Sequence, residues 1–438
     1  MPAVANSSDN GISPETLLLF LFGALDIGIL RNLLPLPLWI TIANLFWPIA
    51  LGCLIADLSP LSVHARRRIK TAGVALAIFV LAGIGTMSMI GMRRMTAPQQ
   101  YVHDNAILVE EGIKQLISGR NFYAADFRGT ALATWQDGKF FDATSNTWFD
   151  NPALDHYITL PFYTAASVPF GWVSARLLGW YDQRFVDLAV YAVICFVTYA
   201  LLRRGRFVGL LLLALNPLQV HALLVGTSDT FVLAFLLISI WLVARQRWML
   251  ASIVMALAAA SKQTAWLAIP FLLCYGYALL RSVGLPFRSA IARCFRQFWL
   301  LPVVFLAIVT PFFLWNPQAF IDDVYRYPAG LLPTSFPIFG EGLSVFLQLL
   351  GFPATPRSYF PYGLLEILIA GPVFGVLIFW LVRRPSLSRA LGSAGVFLLT
   401  FLWLSRFFNE NYITMPLALF CLAVVMANEE TAAPETAG

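Results

Sequence analysis

The sequence predicts an all-α polytopic membrane protein, with about twelve transmembrane helices in one domain spanning residues 1–428. Three observations carry this. Charged residues make up 12% of the chain, about half the ~25% of soluble domains. Apolar runs long enough to cross a ~30 Å hydrocarbon core recur along the whole length. Basic residues gather in alternate short loops, beside the ends of those runs.

Taken in order, the spans are expected at 17–31, 36–56, 71–91, 183–202, 206–222, 228–244, 248–261, 264–281, 298–316, 361–382, 390–406 and 412–428. The first two form an N-terminal helix pair, 17–56. MPAVANSSDNGISPE has no basic region ahead of the first apolar run, so that helix is expected to be retained rather than cleaved as a signal. With a cytoplasmic N-terminus, the inside loops are HARRRIK, RRGR, RQR, RSVGLPFRSAIARCFR and RRPSLSR, which hold 16 of the 29 Lys and Arg. The basic-inside bias is informative in loops this short. It places both termini in the cytoplasm, with residues 429–438 (EETAAPETAG) as a disordered tail.

The same orientation puts the stretch 92–182, residues 216–228, the turn at 261–263, a second outer loop 317–360 and RFFNEN at 406–411 on the extracytoplasmic face. Every unusual polar cluster therefore shares one side, as a single site would require. The pI of about 9.1 is accounted for by the cytoplasmic basic loops and implies no nucleic-acid partner. Membrane lipids are the surrounding partners. The five cysteines show no CxxC or metal spacing, and no Gly-rich phosphate loop is present.

Residues 92–182 are too long for a plain connection. YVHDNAILVEEG opens the segment. Helical spacing sets Ala106, Val109, Ile113 and Leu116 on one stripe and Asp104, Glu111 and Gln115 on the other, as in an amphipathic helix lying at the interface. Glu110 reads as an i, i+4 partner of Lys114. NFYAADFRGTALATWQDGKFFDATSNTWFDNP is rich in the residue types that bind sugars, and also in those of an aromatic interface belt. HYITLPFYTAASVPFGWVSARLLGW, broken by Pro161 and Pro169, reads as juxtamembrane or re-entrant.

With HDN (103–105), LISGRNFYAADFRGT, NPALDHYITLPFY, SVPFG, NPLQVHALLVGTSDTF, ALAAASKQTAW and RFFNENY in hand, the chain resembles the GT-C superfamily of polytopic glycosyltransferases. The narrower resemblance is to family 87-like polyprenyl-phosphate mannosyltransferases, and it spans about residues 71–428. It implies a GT-C-like bundle and inverting transfer of a sugar, mannose by analogy, from a polyprenyl-phosphate donor to a lipid or glycan acceptor. Asp104 matches the position of the family's general base; its other reading is a helix N-cap.

A departing phosphate needs a cation. Lys262, between two short apolar helices, is the leading candidate and otherwise a snorkelling hairpin residue; Arg406 is the second. His103 is expected to orient Asp104 or the acceptor, or else to be simply solvated. Glu111 is a reserve base or sugar ligand. His221 and Asp229 are read as substrate contacts, Asp229 alternatively as a helix cap. Asn409 and Glu410 complete the binding set, and Asp322, Asp323 and Glu341 carry no assigned role. No metal and no other cofactor is expected. Two rival readings stay open: a secondary transporter, although its midplane ionisable groups and paired halves are not evident, and a non-catalytic envelope-assembly protein.

Overall fold

The computed structural model describes residues 11–142 and 146–432. Among the described residues, eight helices are long and apolar enough to cross a membrane, and up to ten if each of two bent pairs counts as one span. The chain is an all-α polytopic integral membrane protein, and all twelve expected segments are helical. Asp229–Ala244 and Trp248–Ala259 are short for a span, so a count of twelve does not follow.

The breaks have local causes. Asn216 accepts the N–H of Leu218 through its side chain and Pro217 follows it, so Arg206–Ala214 and Pro217–Val225 meet at 47°. Proline lacks the N–H that would continue the first helix, and the Asn cap starts the second. Phe287–Phe298 and Leu300–Trp315 meet at 41°. The third span, Val63–Met95, is longer than expected and contains a π-helical turn at Phe79–Ile84.

The segment 92–182, expected on the outer side, folds over one end of the bundle. It contains the helix Asp104–Ile117, a small antiparallel hairpin of Lys139–Asp142 and Thr147–Asp150, and the helix Pro161–Leu178. The expectation of an interfacial amphipathic helix is overturned at Asp104–Ile117. Every residue from Ala106 to Ile113 is buried, because the outer segment and the bundle cover it from all sides. Most aromatic residues of 121–149 are likewise core: Phe122, Tyr123, Phe127 and Trp135 are buried with Tyr157 in one cluster.

A buried charge network ties this segment down. Arg93 makes a two-pronged pair with Glu110 at 2.7 and 2.8 Å and reaches Asp182 at 2.9 Å. Asp182 also receives Arg184, whose other donor reaches the carbonyls of Tyr101 and Leu224 at 2.7 and 2.9 Å. The expected Glu110–Lys114 pair is therefore not formed. Lys114 binds Glu111 at 2.7 Å instead, since the inward phase of Glu110 commits it to Arg93.

At the opposite end, the last helix runs to Ala432, so residues 429–432 of the expected tail are helical; 433–438 lie outside the described residues. Glu429 accepts the N–H groups of Arg203, Arg204 and Gly205, and Glu430 bonds Ser388.

Breaking a buried pair strands a charge, at a cost of about 3–5 kcal/mol. Arg93→Met is therefore expected to lower the melting temperature of the purified protein sharply. An unchanged melting curve would show that the network does not hold the fold.

Candidate active site

Beneath the outer segment lies a cavity of about 560 Å³. Its walls come from the start of the Asp104–Ile117 helix, the 227–229 and 262–267 turns, the second outer loop and the 401–412 stretch. His103, Asp104, Asp229, Lys262, Arg406 and Asn409 all line it. The topology thus brings together six of the nine residues singled out from sequence. Glu111 is held by Lys114, His221 is half-buried behind the wall, and Glu410 is exposed; none of these three lines the cavity, although His221 and Glu410 stay within electrostatic reach of His103.

His103, not Asp104, is the helix N-cap. Its backbone N–H donates to the carbonyl of Val225 at 2.8 Å, fixing the helix start to the bundle. Nδ1 of His103 lies 2.7 Å from Oδ1 of Asp104, which places the proton between them. The 3.2 Å approach of the Asn105 N–H to the same nitrogen is the weaker of two competing contacts. Burial drives the Asp104 carboxyl up, but the adjacent imidazole and its hydrogen bond outweigh it and hold the carboxyl below its ordinary 3.8. Burial opposes the imidazolium in turn, and Asp104, then Glu410 and Asp229, raise His103 above its ordinary 6.5. Asp104 is therefore an ionised carboxylate at neutral pH, also favoured by its place in the first turn of a helix.

Lys262 is not a free cation. Its Nζ donates to Asp229 at 2.8 Å and stands 5.1 Å from the Tyr412 ring centre. Asn411 donates to the other oxygen of Asp229 at 3.1 Å. Asp229 is thereby a buried ion-pair member rather than the helix cap; Ser228 occupies the cap position.

Arg406 has the opposite character. It is buried, and it donates to the carbonyls of Phe336, Ser358 and Pro356 at 2.8–3.1 Å. No ion pair of the described residues includes it. Those bonds pin the second outer loop to the cavity wall. A guanidinium carries five N–H groups, so donors remain, and its charge meets no carboxylate.

The sequence reading missed four features here. Asn411 and Tyr412 stood inside RFFNENY unremarked. Tyr327 lines the cavity and lies 4.5 Å, ring to ring, from His156. His156 in turn bonds Asp323 and Thr334, both at 2.7 Å, and burial pushes Asp323 up to about 6 despite that bond. The cavity aromatics come mainly from the second outer loop, among them Tyr325, Phe336, Tyr359 and Phe360, and not from 121–149. His156, within NPALDHYITLPFY, and Asn411 and Tyr412, within RFFNENY, lay in motifs that could have signalled them.

Five buried polar atoms on the cavity wall have no protein partner: Thr159 Oγ1, Thr227 Oγ1, Thr264 Oγ1, the Tyr362 hydroxyl and Asn409 Oδ1. Buried polar groups are nearly always hydrogen-bonded, so this wall suits a ligand with many hydroxyls. Toward the spanning helices the lining turns apolar, with Trp266, Leu267, Phe401 and Leu402. Among the described residues, no three His, Cys, Asp or Glu stand close enough to hold a metal ion.

Residues 119–278 match the MptA_B family, the N-terminal domain of alpha-(1->6)-mannopyranosyltransferases. Neither the curated proteins nor the solved structures provide a match. The matched stretch holds Asp229 and Lys262 and stops short of Asp104. It supports a mannosyltransferase-like GT-C family and, on a bundle of this kind, a membrane glycosyltransferase working on a sugar donor and an acceptor.

The His103–Asp104 pair sets a pH window for stability. The raised pKa of His103 contributes fully below pH 6.5 and is lost as pH rises through its higher folded value. The lowered pKa of Asp104 contributes fully above pH 3.8 and is lost as pH falls through its lower one. The wild-type melting temperature is expected to exceed that of His103→Asn most between pH 3.8 and 6.5; a gap independent of pH would contradict the pairing.

Asp229 left without its cation is a buried, uncompensated charge, whereas an apolar replacement of both partners restores balance. Lys262→Met is expected to destabilise by about 3–5 kcal/mol and the double variant Asp229→Leu/Lys262→Met by less, read from thermal unfolding of both. Equal or greater loss in the double variant would show that the pair is not a unit.

Proposed function

We propose that this chain is an inverting, GT-C-type glycosyltransferase that moves a sugar, mannose by family likeness, from a polyprenyl-phosphate donor to a lipid or glycan acceptor on the extracytoplasmic face. The observation that carries the reading is one cavity that combines an ionised carboxylate, an uncompensated guanidinium, unpartnered hydroxyl-binding groups and an apolar mouth. The matched mannopyranosyltransferase domain supports the sugar. The mouth, between spanning helices, supports a donor carried on a lipid, and the basic loops at the other end support the orientation.

Asp104 acts as the general base. The acceptor hydroxyl gives up its proton as its oxygen attacks the anomeric carbon, and a carboxylate within hydrogen-bond reach accepts it. Its low pKa keeps it ionised at neutral pH, and His103 holds it in place. The bond from anomeric carbon to phosphate oxygen breaks with its electrons going to the phosphate. Attack from the opposite face inverts the centre.

Arg406 is the group that takes up the charge on the leaving phosphate, because its own charge is otherwise unbalanced. A preorganised donor at such a position is worth a few kcal/mol. Lys262, already paired, serves from the same cavity, with Asp229, itself braced by Asn411, holding the ammonium for a sugar or phosphate oxygen. Asn409 and Tyr362 meet sugar hydroxyls, with Thr227 and Thr264. Charge stabilisation by Arg406 and Lys262 leaves no task that requires a divalent ion.

With purified protein, radiolabelled polyprenyl-phosphate mannose and a membrane acceptor fraction, transfer by Asp104→Asn is expected to fall at least 10²-fold, toward the ~10²–10⁴ range of a lost general base, and EDTA is expected to leave the wild type active. Undiminished transfer by Asp104→Asn would remove Asp104 from the role. Loss in EDTA with rescue by magnesium or manganese would establish a metal requirement, and a solute flux in proteoliposomes without sugar consumption would favour a transporter.

A further inference from the structure

The helix Phe287–Phe298, at the end of the bundle opposite the cavity, has two unlike faces. Phe287, Ile291 and Phe295, spaced at i, i+4 and i+8, are 61, 46 and 70% exposed. Ser289, Ala292, Arg293 and Arg296, spaced at i, i+3, i+4 and i+7, line a recess of about 790 Å³ closed on its other side by Arg247, Met249 and Leu250. Only Ala290 and Phe298 of the helix are buried, and Phe298 packs edge-on against Trp248 at 5.7 Å. That contact fixes the helix against the 246–250 turn.

The charges in the recess are unbalanced. No ion pair of the described residues includes Arg247, Arg293 or Arg296. Gln297, which also lines the recess, has a buried amide oxygen with no hydrogen-bond partner. Met249 and Leu250 at the lip are about half exposed and set apolar surface beside the arginines. A soluble anion has no use for that rim. A phospholipid fits both parts, its acyl chains on the rim and its phosphodiester among the arginines.

We infer that this recess is a binding site for an anionic phospholipid, one whose headgroup carries no compensating ammonium, and that the Phe287–Phe298 helix forms one wall of it. Basic recesses between membrane helices attract such headgroups, and an amphipathic helix with arginines on its polar face seats itself at the acyl boundary. Gln297 offers an acceptor to a headgroup hydroxyl, which a glycerol headgroup supplies and choline does not. The inference is independent of the glycosyl-transfer reading, since it uses no residue of the cavity.

The test is lipid binding by the purified full-length protein in mixed micelles, with phosphatidylglycerol compared with phosphatidylcholine, read by native mass spectrometry and thermal shift. Preferential retention of phosphatidylglycerol is expected, weaker at high salt. Arg293→Gln or Arg296→Gln should reduce affinity about fivefold each, the equivalent of ~1 kcal/mol per basic residue near an anionic surface. Equal binding of the two lipids, or full phosphatidylglycerol binding in Arg247→Gln/Arg293→Gln/Arg296→Gln, would overturn the inference. So would equal competition by inorganic phosphate. Should the triple variant fail to fold, Arg293→Gln alone decides the matter, since its side chain is solvent-exposed and makes no ion pair.

Discussion

The architecture of the cavity depends on the buried network of Arg93, Glu110, Asp182 and Arg184. Two cations and two carboxylates out of water would each cost several kcal/mol if unpaired. The paired prongs at 2.7 and 2.8 Å, and the shared Asp182, offset that cost only in one arrangement. Burial pushes Asp182 up, yet Arg184 and Arg93 beside it hold it at about 2. The network joins the third span to both ends of the outer segment. Because Arg184 also grips the carbonyls of Tyr101 and Leu224, the two residues before His103 cannot drift from the bundle.

Asp104 inherits its place from that constraint. A carboxylate at a helix start would be ordinary on a surface; here it opens into a recess with Asp229, Lys262 and Arg406. The two cations differ in their partners. Lys262 is neutralised and positioned by Asp229, while Arg406 is held by backbone carbonyls that orient it without cancelling its charge. Gly330 meets Arg406 so closely that any Cβ there would lie 2.5 Å from its guanidinium, and its positive φ of 77° suits glycine. The second outer loop and Arg406 are thus a single mechanical piece.

How much of this was legible in the sequence follows from the range of each interaction. The spans and the shared face of the polar clusters were readable, because hydropathy and loop charge are sums over many residues. Asp104, Asp229 and Lys262 were readable as a set by their common side. The partner of each was not. Glu110 and Glu111 are adjacent, and Lys114 lies at i+4 of one and i+3 of the other, so spacing alone leaves the pairing open until Arg93, a residue from another helix, claims Glu110. Arg406 could be flagged as a cation but not as the pin of a loop seventy residues earlier. The aromatics misled for the same reason: Phe122, Tyr123, Phe127 and Trp135 are buried in one cluster, a fact of packing that composition does not contain.

The central claim is that one cavity holds base and leaving group on opposite sides of a sugar. The most direct measurement is a structure of the protein with a non-transferable polyprenyl-phosphonate analogue of the mannosyl donor. The account predicts the phosphonate against Arg406 and Lys262, the chain leaving between Trp266 and Phe401, and the Asp104 carboxylate facing the anomeric carbon from the side away from the phosphonate. A phosphonate seated beside Asp104, or a sugar lodged outside this cavity, would contradict it.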